Sequence, residues 1–553
     1  MADDFAHADF VRKQLQNHSP LPWWDMFHTS SERLQEAVYL GLTPWWTSSR
    51  LHVRFFRPIA VATHFIDHSL WPNLPELMHL ENVLIYGGLC VVVRLFYRRL
   101  FGPSWVATLA ACLYAVDDAH VDAVDWIASR NTLLTALFGA AACLAFDRNL
   151  SSGRTRYAWL CALALGLASF SSEGALAVWA YLLGQALFLD RRPAAMRALS
   201  LAPALAVTLV WVGATAYLDC GARGTGSYVD PRSEPMEFLR LLPQRVPTVL
   251  NMQFGVPESM LHATLPVAAG WLQVVSYAVW IALFALALPK LWQKPSTRAL
   301  LVGSLGSAVT ICTTVPQTRV LFIVGFGCHG LLAEMIGTIW RGLWQQVPVS
   351  AGSSSAAHWM RGIVLAAVLL FHAVAAPWAS LWLRGDVFYA HVRDAAATIP
   401  NGPGIEDRVI VLANTPSYSL AFLVAAYRMM MVWPAPRRIY IAGASANPVL
   451  LSRPAADSVR LEPEGGYLLE PSSHWMRKPS EPFIAGQVFP LDGLAIQVER
   501  TTSDGRPAII RLALARGYEQ RILWMTWSEA AMRFIPFELP RVGEWLPLLS
   551  RGR

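Results

Sequence analysis

Apolar residues gather along this chain into long runs separated by short charged stretches. Runs of that kind are long enough to cross a bilayer core about 30 Å thick as helices. The pattern predicts ten membrane helices, near residues 80–97, 103–116, 131–147, 157–171, 174–189, 198–218, 265–289, 299–315, 320–340 and 362–382. The 103–116 run is short and fits if neighbouring helices, rather than lipid, cover its ends. Before the first run the chain is polar, with short helices expected at 5–17 and 30–41. The pairs Trp23/Trp24 and Trp45/Trp46 there suit a headgroup region, where an amphipathic ring sits half wet. After residue 382 the long runs stop. "DRVIVLANT" reads as a buried strand, Ser417 to Met431 as a helix and "RRIYIAG" as a second strand, which makes one βαβ-like unit. "SVRLEPEGGYLLE", "GLAIQVERTTSDGRPAIIRLALA" and "QRILWMTW" then alternate apolar and polar residues around turn signals, the mark of antiparallel pairing. The expected architecture is an α-helical polytopic membrane protein with a C-terminal soluble α/β plus antiparallel β module. Its divisions are a loop domain at 1–79, a transmembrane domain at 80–382 and the C-terminal module at 383–553.

Loop charges orient the bundle. Arg98/Arg99, Arg148/Arg154/Arg156, Arg191/Arg192/Arg197, Lys290/Lys294/Arg298, Arg341 and Arg361 fall on alternate loops, and "SAGSSSAA" at 350–357 is a linker on that side. The basic set belongs in the cytoplasm. The opposite set then faces outward: an aspartate-rich stretch after residue 116, "SSE" at 171–173, the long loop 219–264 and residues 316–319. Ten helices with this polarity leave both ends outside, so a further membrane helix is expected upstream of Met1. By parity the C-terminal module is also extracytoplasmic, and a bacterial inner membrane is the expected location.

Composition agrees. Of 553 residues, 54% are hydrophobic and 15% charged, where a soluble domain carries about 25% charge; mean hydropathy is +0.36. The net charge of +7 is mostly arginine at the ends of apolar runs, which argues for membrane lipids and against nucleic acid as partner. The seven cysteines follow neither zinc spacing nor a disulfide framework. No internal repeat and no cleavable signal peptide is visible.

Within so apolar a chain, "YAVDDAHVDAVDWIASRN" at 114–131 places four aspartates and a histidine in nine positions. Ionisable groups at a membrane boundary are costly unless paired or wetted, so they read first as functional. Three outward segments carry acids: Asp3 and Asp4; Asp117, Asp118, His120, Asp122 and Asp125; and Glu173. Arg57, Arg130 and Arg319 lie on the same side. Carboxylates facing arginines beside lipid suit a lipid-linked phosphate and a hydroxyl to be activated. Asp118 and Asp125 read as solvated acids. The Asp, His and Asp of this stretch admit a divalent cation, though no fixed ligand spacing supports one; no other cofactor is implied.

The ordered set resembles the GT-C superfamily of membrane glycosyltransferases, in the branch with protein mannosyltransferases, the aminoarabinose transferase and TMTC-like proteins. Asp3-Asp4 matches an acidic pair in the first outward loop, "FFRPIAVATHFIDHSLW" an arginine-proline signature, and "HLENVLIYGG" an Asn-containing helix start. The TMTC-like pattern His-Pro-x-His-x-Glu followed by Trp-x-x-x-Arg aligns with Asp117, Asp118, His120, Asp122, Trp126 and Arg130. A Leu-Ser-Lys-Glu pattern falls on Phe170-Ser171-Ser172-Glu173. Asp-Asp therefore replaces His-Pro, and Ser172 replaces the lysine. The resemblance implies transfer of a sugar from a polyprenyl-phosphate donor to an extracytoplasmic lipid, glycan or protein acceptor. It implies Asp4 (Asp3 next) as base, Asp122 and His120 orienting substrate, and Arg57, Asp117, Arg130, Glu173 and Arg319 at the donor side. The competing expectation is an inactive GT-C-like scaffold that binds envelope glycan or a protein partner. A transporter is disfavoured, because the charges cluster on one side without midplane pairs.

Overall fold

The computed structural model describes residues 2–16, 19, 21–29, 31–256, 266–344, 354–382, 385–432 and 434–548. Helices α1 (Ala2–Leu15) and α2 (Ser31–Tyr39) precede α3 (Pro58–Leu70), close to where the polar N-terminal segment predicts helix. The apolar runs follow as α4 (Pro75–Phe101), α5 (Trp105–Ala115), α6 (Arg130–Ser152), α7 (Thr155–Ser169), α8 (Val178–Phe188) and α9 (Ala194–Tyr217). The loop at 219–264 holds α10 (Pro235–Phe254), absent from the sequence expectation. Then come α11 (Pro266–Leu291), α12 (Pro295–Ile311), α13 (Phe322–Trp344) and α14 (Ser354–Leu369), the last continuing through a π-helical turn into α15 (Ala376–Trp382). Proline opens α3, α4, α10 and α12 at the first turn, where its missing N–H costs nothing.

Among the described residues, six helices are long and apolar enough to span a membrane: Pro75–Phe101, Ile127–Ser152, Ala194–Tyr217, Gly270–Leu291, Phe322–Trp344 and His358–Leu381. The chain is an integral membrane protein. The other apolar runs form shorter helices, α5 and α8 among them. Trp159, Trp271, Trp344 and Trp359 stand exposed on the bundle surface, as tryptophans at lipid–water boundaries do. Helix α13 is almost wholly buried and the bundle wraps around it. Tyr97 of α4 donates to Phe326 O (2.5 Å), Tyr114 of α5 to Phe322 O (3.1 Å) and Tyr181 of α8 to Ile323 O (2.7 Å). Close approach is permitted by glycine: a Cβ at Gly327 would stand 2.3 Å from Ser304 Oγ and 2.6 Å from Tyr181 Oη.

Beside the bundle, β1 (His28–Thr29), β2 (His52–Arg54) and β3 (Gly221–Arg223) form an antiparallel sheet that joins the N-terminal segment to the α9–α10 loop. The same loops grip the C-terminal module. Gly226 N donates to His474 O, Ser48 N to Met476 O and Thr225 Oγ1 to Trp475 O, while Lys478 pairs with Glu234. Gly224, at φ +72°, lies against Arg50, whose carbonyl oxygen would be 2.7 Å from any Cβ.

After α16 (Gly385–Ala397), the C-terminal module has two sheets. Strand β4 (Val409–Asn414), helix α17 (Tyr418–Met431, capped by Ser417) and β5 (Arg438–Ile441) form the expected parallel βαβ unit. An antiparallel sheet in the order β13-β6-β7-β10-β9-β8 is built from β6 (Val449–Ala455), β7 (Ser458–Pro463), β8 (Val488–Leu491), β9 (Leu494–Thr501), β10 (Pro507–Leu514) and β13 (Trp545–Leu548). Strand β11 (Ile522–Ser528) departs from expectation. It pairs parallel with β4 and antiparallel with β12 (Arg533–Pro536), inside the smaller sheet. Its middle residues are buried on both faces, which suits a central strand rather than a half-solvated one.

The tryptophan pairs also correct the reading. Trp45 and Trp46 are buried, not at a headgroup layer. Trp45 Nε1 donates to Ala442 O (2.9 Å), and Trp46 packs edge-on to Tyr418, so the N-terminal segment completes the C-terminal core. Trp23 stays exposed. All seven cysteines are free; Cys112 is exposed and Cys90 and Cys220 are half-buried, while the remaining four are buried.

Candidate active site

The aspartate-rich segment runs from the end of α5 to the start of α6 as short helical turns, and one buried cation organises it. Arg130, with no exposed surface, pairs through Nη1 with Asp67 of α3 (2.5 Å) and Glu81 of α4 (2.9 Å). Its Nε donates to Asn82 Oδ1 (2.7 Å) and its Nη2 to Met78 O (2.9 Å). A guanidinium can be buried only with its charge paired and its donors used. Asn82 then turns its amide to the loop, donating to Val124 O (3.1 Å) and Trp126 O (3.4 Å). Arg130 is therefore not available to a donor phosphate, contrary to expectation. Two carboxyls share this one cation. Burial, and then a hydrogen bond with the Glu81 carboxyl, hold the Asp67 carboxyl above its ordinary range, against the pull of Arg130.

On this frame four of the expected residues meet. The Asp4 carboxylate accepts from the Ala128 amide (2.7 Å), which fixes α1 to the end of the loop. Asp3 is exposed. Protein around it still pushes its carboxyl above the ordinary range, the Arg319 guanidinium opposes that, and the neighbouring Asp4 adds to it. Asp122 is exposed and accepts from Thr318 Oγ1 (2.5 Å). Arg319, next along the chain, lies over the Trp126 ring at 4.7 Å from its centroid. Among the described residues Arg319 makes no ion pair.

The remaining expectations are corrected. His120 is buried and stacked on Phe322 (4.2 Å between centroids), with Nδ1 3.0 Å from Tyr86 Oη, so it lies in the interior rather than at the surface. Asp117 is buried as well. It accepts from Gln253 Nε2 (3.1 Å) and Ala119 N (3.3 Å), facing His120 and His329 Nε2 at 3.7 and 3.6 Å, so it belongs to the interior rather than to the donor side. Arg57 and Glu173 form a bidentate pair, with the guanidinium over Phe55 and Phe27; each neutralises the other. Asp118 is buried, whereas Asp125 is exposed as a solvated acid would be. Among the described residues no group of three or more His, Cys, Asp or Glu side chains is placed to hold a metal ion.

Asp67 and Asn82 enter the sequence reading only inside quoted motifs, and Thr318 only as part of residues 316–319. Asp67 alone carried a signal, as an acid within the apolar "HFIDHSLW"; nothing local points to Thr318.

No protein-family model matches the chain. Over 94 residues it is 31% identical to Protein O-mannosyl-transferase TMTC3 of Homo sapiens, a match covering 17% of this chain and 10% of that protein; the Mus musculus protein matches to the same extent. In fold it is similar to the archaeal oligosaccharyltransferase AglB from Archaeoglobus fulgidus, solved in complex with an inhibitory peptide and a dolichol-phosphate. That likeness has a TM-score of 0.42 at 13% identity over 79% of this chain and 60% of the other. The apo form of the Archaeoglobus fulgidus oligosaccharyltransferase gives 0.41 at 11% identity over 80% and 60%. The chain spans 10% of the length of the curated relatives and 60% of the solved chains it matches.

Two measurements check this geometry. Arg130→Met leaves buried carboxyls without their cation and is expected to cost about 3–5 kcal/mol of stability, while Arg319→Gln stays within about 0.5 kcal/mol of wild type, both by thermal unfolding in detergent. Equal effects would contradict the assignment of the two arginines. The raised Asp67 also sets a pH dependence. The folded state keeps a proton that the unfolded chain releases near the ordinary value of about 3.9, so this stability is complete below that value and is lost as pH rises through the raised one. Asp67→Asn is expected to flatten that fall in unfolding midpoint; an unchanged slope would show that the proton lies elsewhere.

Proposed function

We propose that this protein is an extracytoplasmic-facing glycosyltransferase of a bacterial inner membrane, moving a sugar from a polyprenyl-phosphate donor to an envelope lipid, glycan or protein. The observation that carries the reading is the charge pattern of the site. Arg57 and Arg130 are paired with protein carboxylates, while Arg319, near Asp3 and next in sequence to the Thr318 that bonds Asp122, makes no ion pair among the described residues. An uncommitted guanidinium next to acids suits a leaving phosphate and an acceptor hydroxyl to be deprotonated. On this reading the acceptor oxygen attacks the anomeric carbon as Asp4 takes its proton. The bond from that carbon to the phosphate oxygen breaks, and its electron pair leaves on the phosphate, held by Arg319. Base and leaving group lie on opposite faces of the sugar, so configuration inverts. Asp3 is the next candidate for base, Asp122 orients the acceptor through its link to Thr318, and no step is routed through a metal. Residues 1–79 and the module at 383–553 are placed on the same outward side, a reading supported by the ties between residues 48–54, 221–234 and 474–478.

A second reading, an inactive scaffold, is favoured by one observation: Arg57, Glu173, Arg130, Asp117 and His120 are all engaged inside the fold. One assay separates the two. Lipid-linked sugars are profiled in a deletion strain restored with wild type, Asp4→Asn or Asp122→Asn. Wild type is expected to clear a prenyl-linked sugar that accumulates without it. Asp4→Asn should lower the rate by about 10²–10⁴-fold and Asp122→Asn by about tenfold or more. Wild-type rates in both variants would refute the assignment, and no accumulating donor would favour the scaffold.

A further inference from the structure

A guanidinium that feels the charge of Asp3, and follows the Thr318 that bonds Asp122, would ordinarily be neutralised by an acid. Arg319 is instead laid on the face of Trp126, 4.7 Å from the ring centroid. An aromatic face attracts a cation without cancelling its charge or using its N–H donors. The ring is itself held. Its backbone carbonyl accepts from Asn82, whose own oxygen is taken by the buried Arg130, and the next peptide but one, Ala128 N–H, is spent on Asp4. Arg130, through Asp67 and Glu81, is anchored to α3 and α4. A continuous chain of contacts thus runs from the bundle interior through Asn82 to the face that carries Arg319. From the opposite side, Thr318 fixes the backbone beside Arg319 by its bond to Asp122.

We propose that Trp126 is a positioning residue that presents Arg319 as an uncommitted cation for a phosphate monoester or diester, with Asn82 setting the tilt of the ring. This rests on the phosphate reading of Arg319 given above and adds to it the reason that charge stays available. Without the ring face the guanidinium falls onto Asp3 or Asp122, and one contact then removes both the phosphate anchor and an acid of the site.

Binding of a long-chain prenyl monophosphate to the full-length protein in nanodiscs, read as Kd across salt concentrations, tests the inference. Arg319→Gln should weaken binding about tenfold and flatten its salt dependence. Trp126→Leu, which keeps bulk and loses the π face, should weaken it by about five- to tenfold, while Trp126→Phe retains affinity within about threefold. Asp3→Asn added to Trp126→Leu should recover part of the loss, which a merely structural defect would not do. Asn82→Asp provides a second route if Trp126→Leu does not fold, and should weaken binding by about threefold or more. Wild-type Kd in folded Trp126→Leu or in Asn82→Asp, with Arg319→Gln impaired, overturns the role of Trp126 and leaves the phosphate reading standing. Wild-type Kd in Arg319→Gln overturns the phosphate reading and the inference with it.

Discussion

A buried guanidinium with two carboxyls around it holds this site together. Arg130 lies at the start of α6, Asp67 in α3, and Glu81 and Asn82 in α4, so one side chain ties three helices and a loop at a single point. Charge taken out of water tolerates little disorder, because each lost contact exposes an unpaired ion to a low-dielectric interior. The segment between α5 and α6 inherits that rigidity through Asn82. Asp4 and Trp126 are placed by the same few residues, though Asp4 belongs to a helix more than a hundred residues earlier in the chain.

Once the internal pairs are subtracted, the charge of the site is simple. Arg57 with Glu173 closes one flank, and Arg130 with Asp67 closes the interior. Asp117 and His120 pack beneath, against Tyr86, Phe322 and His329. What stays at the surface is Asp3 and Asp122, with Arg319 half-buried and Asp4 bound to a backbone amide. Pairing Arg57 and Arg130 inside the fold leaves the positive charge of Arg319 without a carboxylate partner among the described residues. The C-terminal module is tied on elsewhere. It is fastened by Trp45 and Trp46 from the N-terminal segment and by the α9–α10 loop.

The helical runs were readable because a membrane helix must satisfy its own backbone, and that demand appears as uninterrupted apolar sequence. The βαβ unit was readable for a similar local reason, a buried strand and a capped helix in succession. Strand β11 misled because alternation over a few residues does not reveal which neighbour a strand will take. Trp45 and Trp46 misled because their partners lie nearly four hundred residues away. At the candidate site, acids in an apolar chain marked the segment between α5 and α6, since an ion there needs a reason to exist. Which of them pair inside the fold was hidden. Arg57 meets Glu173 across 116 residues and Arg130 meets Asp67 across 63, and no local spacing encodes either pair.

The account turns on which arginine takes a phosphate. Cryo-electron microscopy of the protein in nanodiscs with a prenyl monophosphate tests that directly. The account requires phosphate oxygens at about 2.7–2.9 Å from the Arg319 guanidinium, the Trp126 ring behind it, and the Arg57–Glu173 and Arg130–Asp67 pairs intact. Phosphate on Arg57 or Arg130 with its carboxylate displaced, and Arg319 closed onto an aspartate, would contradict it.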